Sequence, residues 1–206
     1  MKSMFITLEG IEGSGKSSSL ETINSYLSKS KISYINTREP GGSDLGKKLR
    51  SILLDTKSIL SPQVELLLML ADRKDHIERV IMPNLKKGLC VVSDRFMDSS
   101  IAYQGGGREL NIKSIKLMTK ELNFPEPNLT ILFDLPVEIS LERAKKRGNL
   151  DRFEQEDLDF HNRIRETYLK LANEEPHRIK VIDSSRTFDE VQDKIIGILK
   201  DFNERI

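Results

Sequence analysis

A chain of 206 residues, 37% hydrophobic and 32% charged, is long enough to bury one core beneath a heavily charged surface. Its 33 Lys and Arg against 32 Asp and Glu give a formal net charge of +1, which argues against a general nucleic-acid-binding protein. A single cysteine, Cys90, excludes an internal disulfide and a cysteine-rich metal site. We therefore expect one domain over residues 1–206 that binds small molecules rather than nucleic acid.

The sequence does not predict a membrane partner. No apolar run approaches the roughly 20 residues that a membrane-spanning helix needs. The N-terminus reads as a strand from Met4 and lacks the long apolar core of a signal peptide. Cys90 lies in the apolar run 89–92, where a buried thiol is more typical than a reactive one. We expect a reducing, cytoplasmic compartment.

Short apolar runs alternate with longer helical patterns along the chain. The runs predict strands at 4–8, 32–36, 89–93, 129–133 and 180–182. The stretches between them predict helices at about 16–30, 44–54, 62–85, 136–146, 154–174 and 187–203. Strands separated by helices indicate an α/β fold with a five-stranded parallel sheet covered on both faces. Ligands of such sheets bind at the carboxyl ends of the strands.

A phosphate-binding motif joins the first strand to the first helix and fits the pattern G-x-x-x-x-G-K-[ST]. Its residues are Gly10, Ile11, Glu12, Gly13, Ser14, Gly15, Lys16 and Ser17. The glycines allow backbone N–H groups to converge on phosphate oxygens, and the helix N-terminus adds positive potential. Lys16 would meet the outer phosphates and the Ser17 hydroxyl would ligate Mg²⁺. The motif predicts a site for a nucleoside triphosphate, ATP in our interpretation, but by itself it does not separate a kinase from a GTPase switch.

Glu12 is unusual in this loop because a carboxylate repels phosphate. It therefore needs either a role or a compensating cation. It could accept a hydrogen bond from a sugar hydroxyl of a second substrate, or its side chain could turn into solvent.

Candidate ligands for a second substrate follow the second and third strands, and the guanine-reading pattern N-K-x-D of GTPases is absent. Asp94 stands at a strand end, where it can bind or orient Mg²⁺, and Arg95 beside it can form a forked contact with a phosphate. Arg50 and Arg73 lie on predicted helices. A lone arginine on a helix is usually solvated. For Arg50 and Arg73, a role in the cleft and a solvated side chain therefore both stay open.

Five further motifs occur in order: T-R-E-P-G-G at 37–42, A-D-R at 71–73, D-R-F at 94–96, A-Y-Q-G-G-G-R at 102–108 and L-D-R-F-E at 150–154. With the phosphate loop, they make the chain resemble the bacterial thymidylate kinase family over nearly its whole length. The resemblance implies a P-loop NTPase fold of the nucleoside monophosphate kinase type with a short lid. It also implies transfer of the γ-phosphoryl group of ATP to dTMP, a step in dTTP synthesis, with Mg²⁺ and in a homodimer. The apolar helix at 64–70 would supply the interface.

The resemblance further implies roles for the acceptor-side residues. Arg50 and Arg95 would hold the dTMP phosphate, while Glu39 and Asp94 would organise phosphate and metal. The base and sugar contacts would come from Arg73 at thymine O4, Ser100 and Gln104 at the pyrimidine, Tyr103 at the 2′ position and Glu12 at the 3′-hydroxyl or the metal's water shell. Two positions depart from the family pattern. Met69 stands where a phenylalanine commonly stacks on thymine, and Phe96 stands where tyrosine is common.

A charged segment at 141–152 carries five cations and two anions. Such runs usually form a solvated helix face. The resemblance instead favours a lid at about 143–155 that closes over ATP and supplies an arginine, because family members with an acidic phosphate loop take that arginine from the lid. Arg152 is the first choice and Arg147 the second, with Arg143 contacting the nucleotide. The expected catalytic set is then Lys16, Asp94, Arg95, Arg147 and Arg152.

Two other functions stay open from the residues alone. The first is another nucleoside monophosphate kinase or a deoxynucleoside kinase on the same scaffold, although paired arginines favour a phosphorylated acceptor. The second is a non-catalytic nucleotide-binding switch. The three histidines, His76, His161 and His177, lack metal-ligand spacing and are expected to be structural or solvated.

Overall fold

A computed structural model describes residues 3–148 and 150–204 of the chain. Its strands form one parallel sheet in the order β2-β3-β1-β4-β5. They are β1 Met4–Glu9, β2 Tyr34–Arg38, β3 Cys90–Asp94, β4 Leu129–Asp134 and β5 Ile179–Asp183. The predicted five-stranded parallel sheet is confirmed. Asn149, which belongs to the predicted lid, lies outside the described residues.

Helices connect the strands and cover both faces of the sheet. They are α1 Lys16–Lys29, α2 Asp44–Leu54, α3 Pro62–His76, α4 Met82–Lys86, α5 Met97–Ser100, α6 Ile112–Glu121, α7 Val137–Arg147, α8 Leu158–Glu174 and α9 Phe188–Asn203. Two π-helical segments, Ile77–Ile81 and Ile101–Gly107, continue α3 and α5. Across the described residues, none of these helices combines the length and apolar character needed to cross a lipid bilayer.

Both faces of β1 are buried, which is why its sequence is a continuous apolar run rather than an alternating one. Successive side chains of a strand point to opposite faces. On one face, Ile6 and Leu8 pack with Ile23 of α1. On the other, the ring of Phe5 meets that of Phe96 edge to face, with centroids 4.8 Å apart. This packing holds β1 rigidly beneath the phosphate loop.

The second strand begins two residues later than predicted, at Tyr34. The N–H group of Ile32 donates to the carbonyl of Leu27, and that of Lys31 donates to the carbonyl of Ser28. Lys31 adopts a left-handed φ of 57°. These contacts terminate α1 with the two backbone hydrogen bonds of a Schellman motif. Ile32 is therefore used to cap the helix, although its side chain suits a strand.

The long helix predicted at 62–85 is interrupted. Regular α-helix ends at His76, and the chain continues as a π-helical segment before α4. Pro83 in α4 has no N–H group and its ring crowds the carbonyl one turn earlier, so the α-helical hydrogen-bond ladder cannot pass through it unchanged.

The interval between β3 and β4 contains α5, the second π-helical segment and α6, which the sequence patterns do not assign. The glycines of this segment allow α8 to approach closely. A Cβ on Gly106 would lie 2.1 Å from Thr167 Oγ1, and one on Gly107 would lie 2.6 Å from Phe160 Cε2. The A-Y-Q-G-G-G-R motif is therefore a helix-packing element as well as a candidate binding element.

Candidate active site

The candidate site lies at the carboxyl edge of the sheet, where the adjacent strands β1 and β3 end. The chain passes from β1 to strands on one side and then to strands on the other, which is where open α/β sheets bind ligands. A cleft of about 490 Å³ opens there. The predicted residues that line it are Glu12, Gly13, Ser14, Gly15, Lys16, Ser17, Glu39, Arg50, Met69, Arg73, Asp94, Arg95, Ser100, Tyr103, Gln104 and Arg147.

Four predicted residues are not among those that line the cleft: Gly10, Ile11, Arg143 and Arg152. Gly10 forms the base of the loop, where a Cβ would lie 2.5 Å from the carbonyl oxygen of Phe133. The side chain of Ile11 belongs to the hydrophobic core, so only its backbone faces the loop. Arg143 reaches the loop from outside and donates to the carbonyl of Gly13 over 3.2 Å.

The phosphate loop owes its shape to glycines in left-handed conformations, with φ of 69° at Gly13 and 93° at Gly15. Lys16 opens α1, and its Nζ donates to the carbonyls of Gly10 and Ile11 over 2.8 and 2.9 Å. Burial, helped by the nearby Arg95 cation, lowers the pKa of Lys16 to about 8. A polyphosphate anion beside this ammonium group would favour its charged form.

Glu12 points inward, not into solvent. Its carboxylate accepts hydrogen bonds from Arg95 Nη2 over 2.7 Å and from the Tyr103 hydroxyl over 2.7 Å. Burial alone would raise the pKa of Glu12, but Arg95 and Lys16 outweigh it and leave the pKa below its ordinary value. Arg95 and Lys16 are therefore the compensating cations that an acidic residue in this loop requires.

Arg95 occupies the corner after β3 and adopts a left-handed φ of 70°. Glu9, at the end of β1, stabilises this corner by accepting hydrogen bonds from the N–H of Phe96 and the hydroxyls of Ser99 and Tyr168. Burial and the nearby Asp98 carboxylate raise the pKa of Glu9 to about 7. Sequence analysis missed Glu9, although an acidic residue closing a buried apolar strand is a usable signal.

The Arg95 guanidinium lies over the Tyr103 ring, with its carbon 4.9 Å from the ring centroid. Its Nη1 donates to the carbonyl of Gly10 over 2.9 Å. Nearby, Arg50 of α2 donates to the carbonyl of Pro40 over 2.8 Å and packs against Gly41. The two arginines thus line the cleft from different elements, between the phosphate loop and the 39–42 loop.

The two predicted metal ligands both line the cleft. Ser17 is exposed at the start of α1, and Asp94 stands at the end of β3. Asp94 Oδ1 is buried and has no hydrogen-bond partner among the described residues. The described residues contain no cluster of three or more acidic, His or Cys side chains able to hold a metal. One carboxylate and one hydroxyl nevertheless suit Mg²⁺, which keeps several waters and takes one or two carboxylates together with substrate phosphates.

The far end of the cleft contains a buried polar chain. Arg73 Nε donates to Glu39 and its Nη1 donates to Ser100 Oγ over 2.9 Å. His76 Nδ1 lies 2.8 Å from the other Glu39 oxygen. Arg73 is 2% exposed, so it is not the solvated helix arginine of the alternative interpretation. His76 is structural as predicted, because its ring lies fully buried against Glu39.

Gln104 is also buried at this end, and its Nε2 donates over 2.9 Å to Glu65. Glu65 lies inside α3 and is fully buried. Sequence analysis placed it in an apolar helix and gave it no role. The available signal was a lone carboxylate within the run 64–70. Met69, one turn further along α3, lines the same end of the cleft.

The lid arginines have different partners in this structure. Arg147 ends α7, lines the cleft and forms an ion pair with Glu154. Arg152, the first choice, instead donates to Glu65 over 2.7 Å and to the carbonyl of Leu53 over 2.9 Å. The ion pair with the buried Glu65 carboxylate holds Arg152 away from the residues that line the cleft. Gly148 follows the end of α7 with a positive φ of 100°.

Comparisons with known proteins agree with this geometry. A family model described as Thymidylate kinase matches residues 8–195. The thymidylate kinase of Carboxydothermus hydrogenoformans is 45% identical over 207 residues, covering 98% of this chain and 100% of that protein. That of Vesicomyosocius okutanii is 46% identical over 199 residues, covering 95% and 97%. The crystal structure of thymidylate kinase from Ehrlichia chaffeensis matches with a TM-score of 0.79 at 31% identity, covering 97% and 99%.

A phosphate loop that shares one cleft with Arg50 and Arg95, on a 2-3-1-4-5 parallel sheet, defines a P-loop kinase of the nucleoside monophosphate type. Within that class, the chain belongs to the thymidylate kinase family. It is an ATP-dependent phosphotransferase that converts dTMP to dTDP. The family that the motifs predicted is confirmed, and the switch interpretation is set aside.

Proposed function

We propose that the cleft aligns ATP and dTMP end to end, with the phosphate loop holding the donor and a separate arginine set holding the acceptor. The observation that carries this proposal is that one cleft is lined by the loop at 12–17, by Arg50 and Arg95 in the middle, and by Arg73 at the far end. Two anionic nucleotides then meet where positive charge is concentrated.

On the donor side, backbone N–H groups of the loop and Lys16 would hold the ATP phosphates. The Ser17 hydroxyl and the Asp94 carboxylate would hold Mg²⁺, directly or through water. When bound, the ion would neutralise phosphate charge. The buried Oδ1 of Asp94, which has no hydrogen-bond partner within residues 3–148 and 150–204, supports this assignment.

On the acceptor side, Arg95 and Arg50 would bind the dTMP phosphate and aim one of its oxygens at the γ-phosphoryl group. That oxygen belongs to an anion at neutral pH, so the reaction needs positioning and electrostatic stabilisation rather than a strong general base. Arg143 at the loop and Arg147 at the cleft supply further cations from the donor side. We assign the transition-state contact to Arg147 rather than to Arg152.

At the base end, Arg73, Ser100 and Gln104 would form hydrogen bonds with the pyrimidine while Met69 packs against it. Tyr103 would crowd the sugar 2′ position. Its hydroxyl bonds to Glu12, which accords with a place for Glu12 beside the 3′-hydroxyl. Glu39 would act through Arg73, because its carboxylate accepts a hydrogen bond from Arg73 Nε.

We further propose one domain over residues 1–206 with a lid at 143–155, a homodimer and a cytoplasmic location. Apolar side chains left exposed on α2 and α3 support the dimer: Leu45, Ile52, Val64 and Leu67. The single buried cysteine, Cys90, suits a reducing compartment.

The acceptor assignment is tested by measuring the affinity of the Arg50→Ala protein for dTMP and for unphosphorylated thymidine. Losing a charge-assisted contact to the phosphate should weaken dTMP binding about 30-fold or more, which is a loss of roughly 2 kcal/mol. Thymidine binding should be unchanged. Arg79→Ala, on an exposed face outside the cleft, is the control. Equal weakening of both ligands would remove Arg50 from the phosphate site.

A further inference from the structure

Three side chains contact the buried carboxylate of Glu65, which does not itself line the cleft. Gln104 Nε2 donates to its Oε1 over 2.9 Å, and Arg152 Nη1 donates to its Oε2 over 2.7 Å. Arg108 Nη2 forms an ion pair with Oε2 over 3.1 Å and also contacts Glu156. The carboxylate therefore faces two guanidinium groups from different elements.

This arrangement determines which way the Gln104 amide is turned. A carboxylate that faces two guanidinium groups only accepts hydrogen bonds, so Gln104 must present its NH₂ group to Glu65. The carbonyl oxygen then remains for a ligand in the cleft. Without such a partner, a glutamine amide can present either its donor or its acceptor, because the two ends have nearly the same shape.

We propose that Glu65 is a positioning residue for base selection: it locks Gln104 with its carbonyl oxygen toward the base, so that the site accepts a pyrimidine with a donor at N3. This inference rests on the proposed placement of the base against Gln104 and Arg73. Arg73 offers only donors, so the pair requires an acceptor at position 4 and a donor at position 3. Thymine has that pattern, and cytosine has the reverse at both positions.

The same network gives Arg152 a role other than phosphate contact. A buried carboxylate needs compensating charge, and breaking such a pair leaves the remaining charge uncompensated. Arg152 and Arg108 supply that charge, while Oε1 of Glu65 accepts from the Gln104 amide and orients it. Arg152 thus connects the 150–154 segment to the base end of the cleft.

The test compares kcat/KM for dTMP and for 5-methyl-dCMP, which share the sugar, phosphate and methyl group and differ only at positions 3 and 4. In the Glu65→Gln protein the residue at 65 can donate as well as accept, so the Gln104 amide is free to turn. The preference for dTMP over 5-methyl-dCMP should fall about tenfold or more, mainly through KM. It should not disappear, because Arg73 still rejects the amino group.

Two further variants separate the outcomes. Gln104→Leu removes the amide, and an unchanged preference there would contradict the proposed base site itself. The double variant Glu65→Gln, Gln104→Glu keeps the net charge and places a group that can only accept at 104, so it should restore the preference to within about threefold. If Gln104→Leu lowers the preference but a folded Glu65→Gln protein keeps the wild-type preference, the positioning inference is overturned. A double variant as unselective as Gln104→Leu overturns it as well.

Discussion

At the residue scale, charged side chains buried close to one another determine the electrostatics of the cleft. Glu9, Glu12 and Lys16 are enclosed together with Arg95, and the Glu12 carboxylate is balanced by the Arg95 and Lys16 cations. Charges held in a low dielectric interact more strongly than they would in water. The loop can therefore tolerate the acidic residue that its sequence contains.

Glu9 makes the stability of the protein depend on pH. Its pKa is raised from 4.5 to about 7 by burial and by Asp98, so the folded protein binds more protons than the unfolded chain between these values. The free energy of unfolding should therefore decrease as pH rises from about 4.5 to about 7. In the Glu9→Gln protein this decrease should be smaller.

Urea denaturation at several pH values measures this effect. Glu21→Gln, an exposed position on α1, serves as the control and should follow the wild-type curve. A Glu9→Gln protein whose stability falls with pH as steeply as the wild type would show that another group is responsible.

The lid arginines should differ sharply in their effect on catalysis. Arg147→Ala should lower kcat on the order of 10³-fold, the size of effect expected when an arginine that stabilises phosphoryl-transfer charge is removed. Arg152→Ala should lower kcat by less than about tenfold and act mainly on KM for dTMP, because its partner is Glu65. Steady-state kinetics with saturating ATP distinguishes them. The opposite ranking would return the catalytic role to Arg152.

At the scale of elements, strand register brings the charged residues at the strand ends together. Leu8 of β1 and Arg38 of β2 are both paired with Asp94 of β3. Glu9, Glu39 and Arg95, which follow these positions, therefore emerge at the same edge of the sheet. A one-residue slip in register would send such side chains to the opposite face.

Two glycines should respond oppositely to alanine. Gly106→Ala would place a Cβ 2.1 Å from Thr167 Oγ1 and 2.9 Å from the carbonyl oxygen of Arg163, so it should destabilise the protein by about 1–3 kcal/mol. Gly197→Ala in α9 meets no heavy atom within 4 Å and should stabilise it by about 0.5–1 kcal/mol. Chemical denaturation of both proteins checks the pair. A neutral Gly106→Ala would mean that the π-helical segment and α8 can move apart.

At the scale of the whole molecule, the homodimer proposal depends on exposed apolar side chains. Leu67 of α3 is 58% exposed, and Phe188 at the start of α9 is 61% exposed. Leu67→Arg should shift the mass in solution to that of a monomer, because a charge would be buried at the interface. Phe188→Arg, the matched control, should leave the mass unchanged. Light scattering at several concentrations measures both, and a wild-type protein that is already monomeric would remove the proposal.

The local features were readable without a structure. The phosphate loop, the five strands and the T-R-E-P-G-G and A-Y-Q-G-G-G-R motifs are short segments whose chemistry is contained in neighbouring residues. Strand ends could also be placed near the cleft, because parallel strands share a carboxyl edge. These features suffice for the fold and for the family.

The tertiary structure alone decided which charges meet. Glu65 and Arg152 are 87 residues apart, and Glu9 and Tyr168 are 159 apart, so no local pattern predicts that they touch. The sequence shows three lid arginines that are equivalent in charge, whereas packing leaves Arg147 at the cleft and directs Arg152 to a buried carboxylate. The physical reason is that a sequence pattern reports local conformational preference, while a buried charge takes its partner from whichever element the fold packs against it.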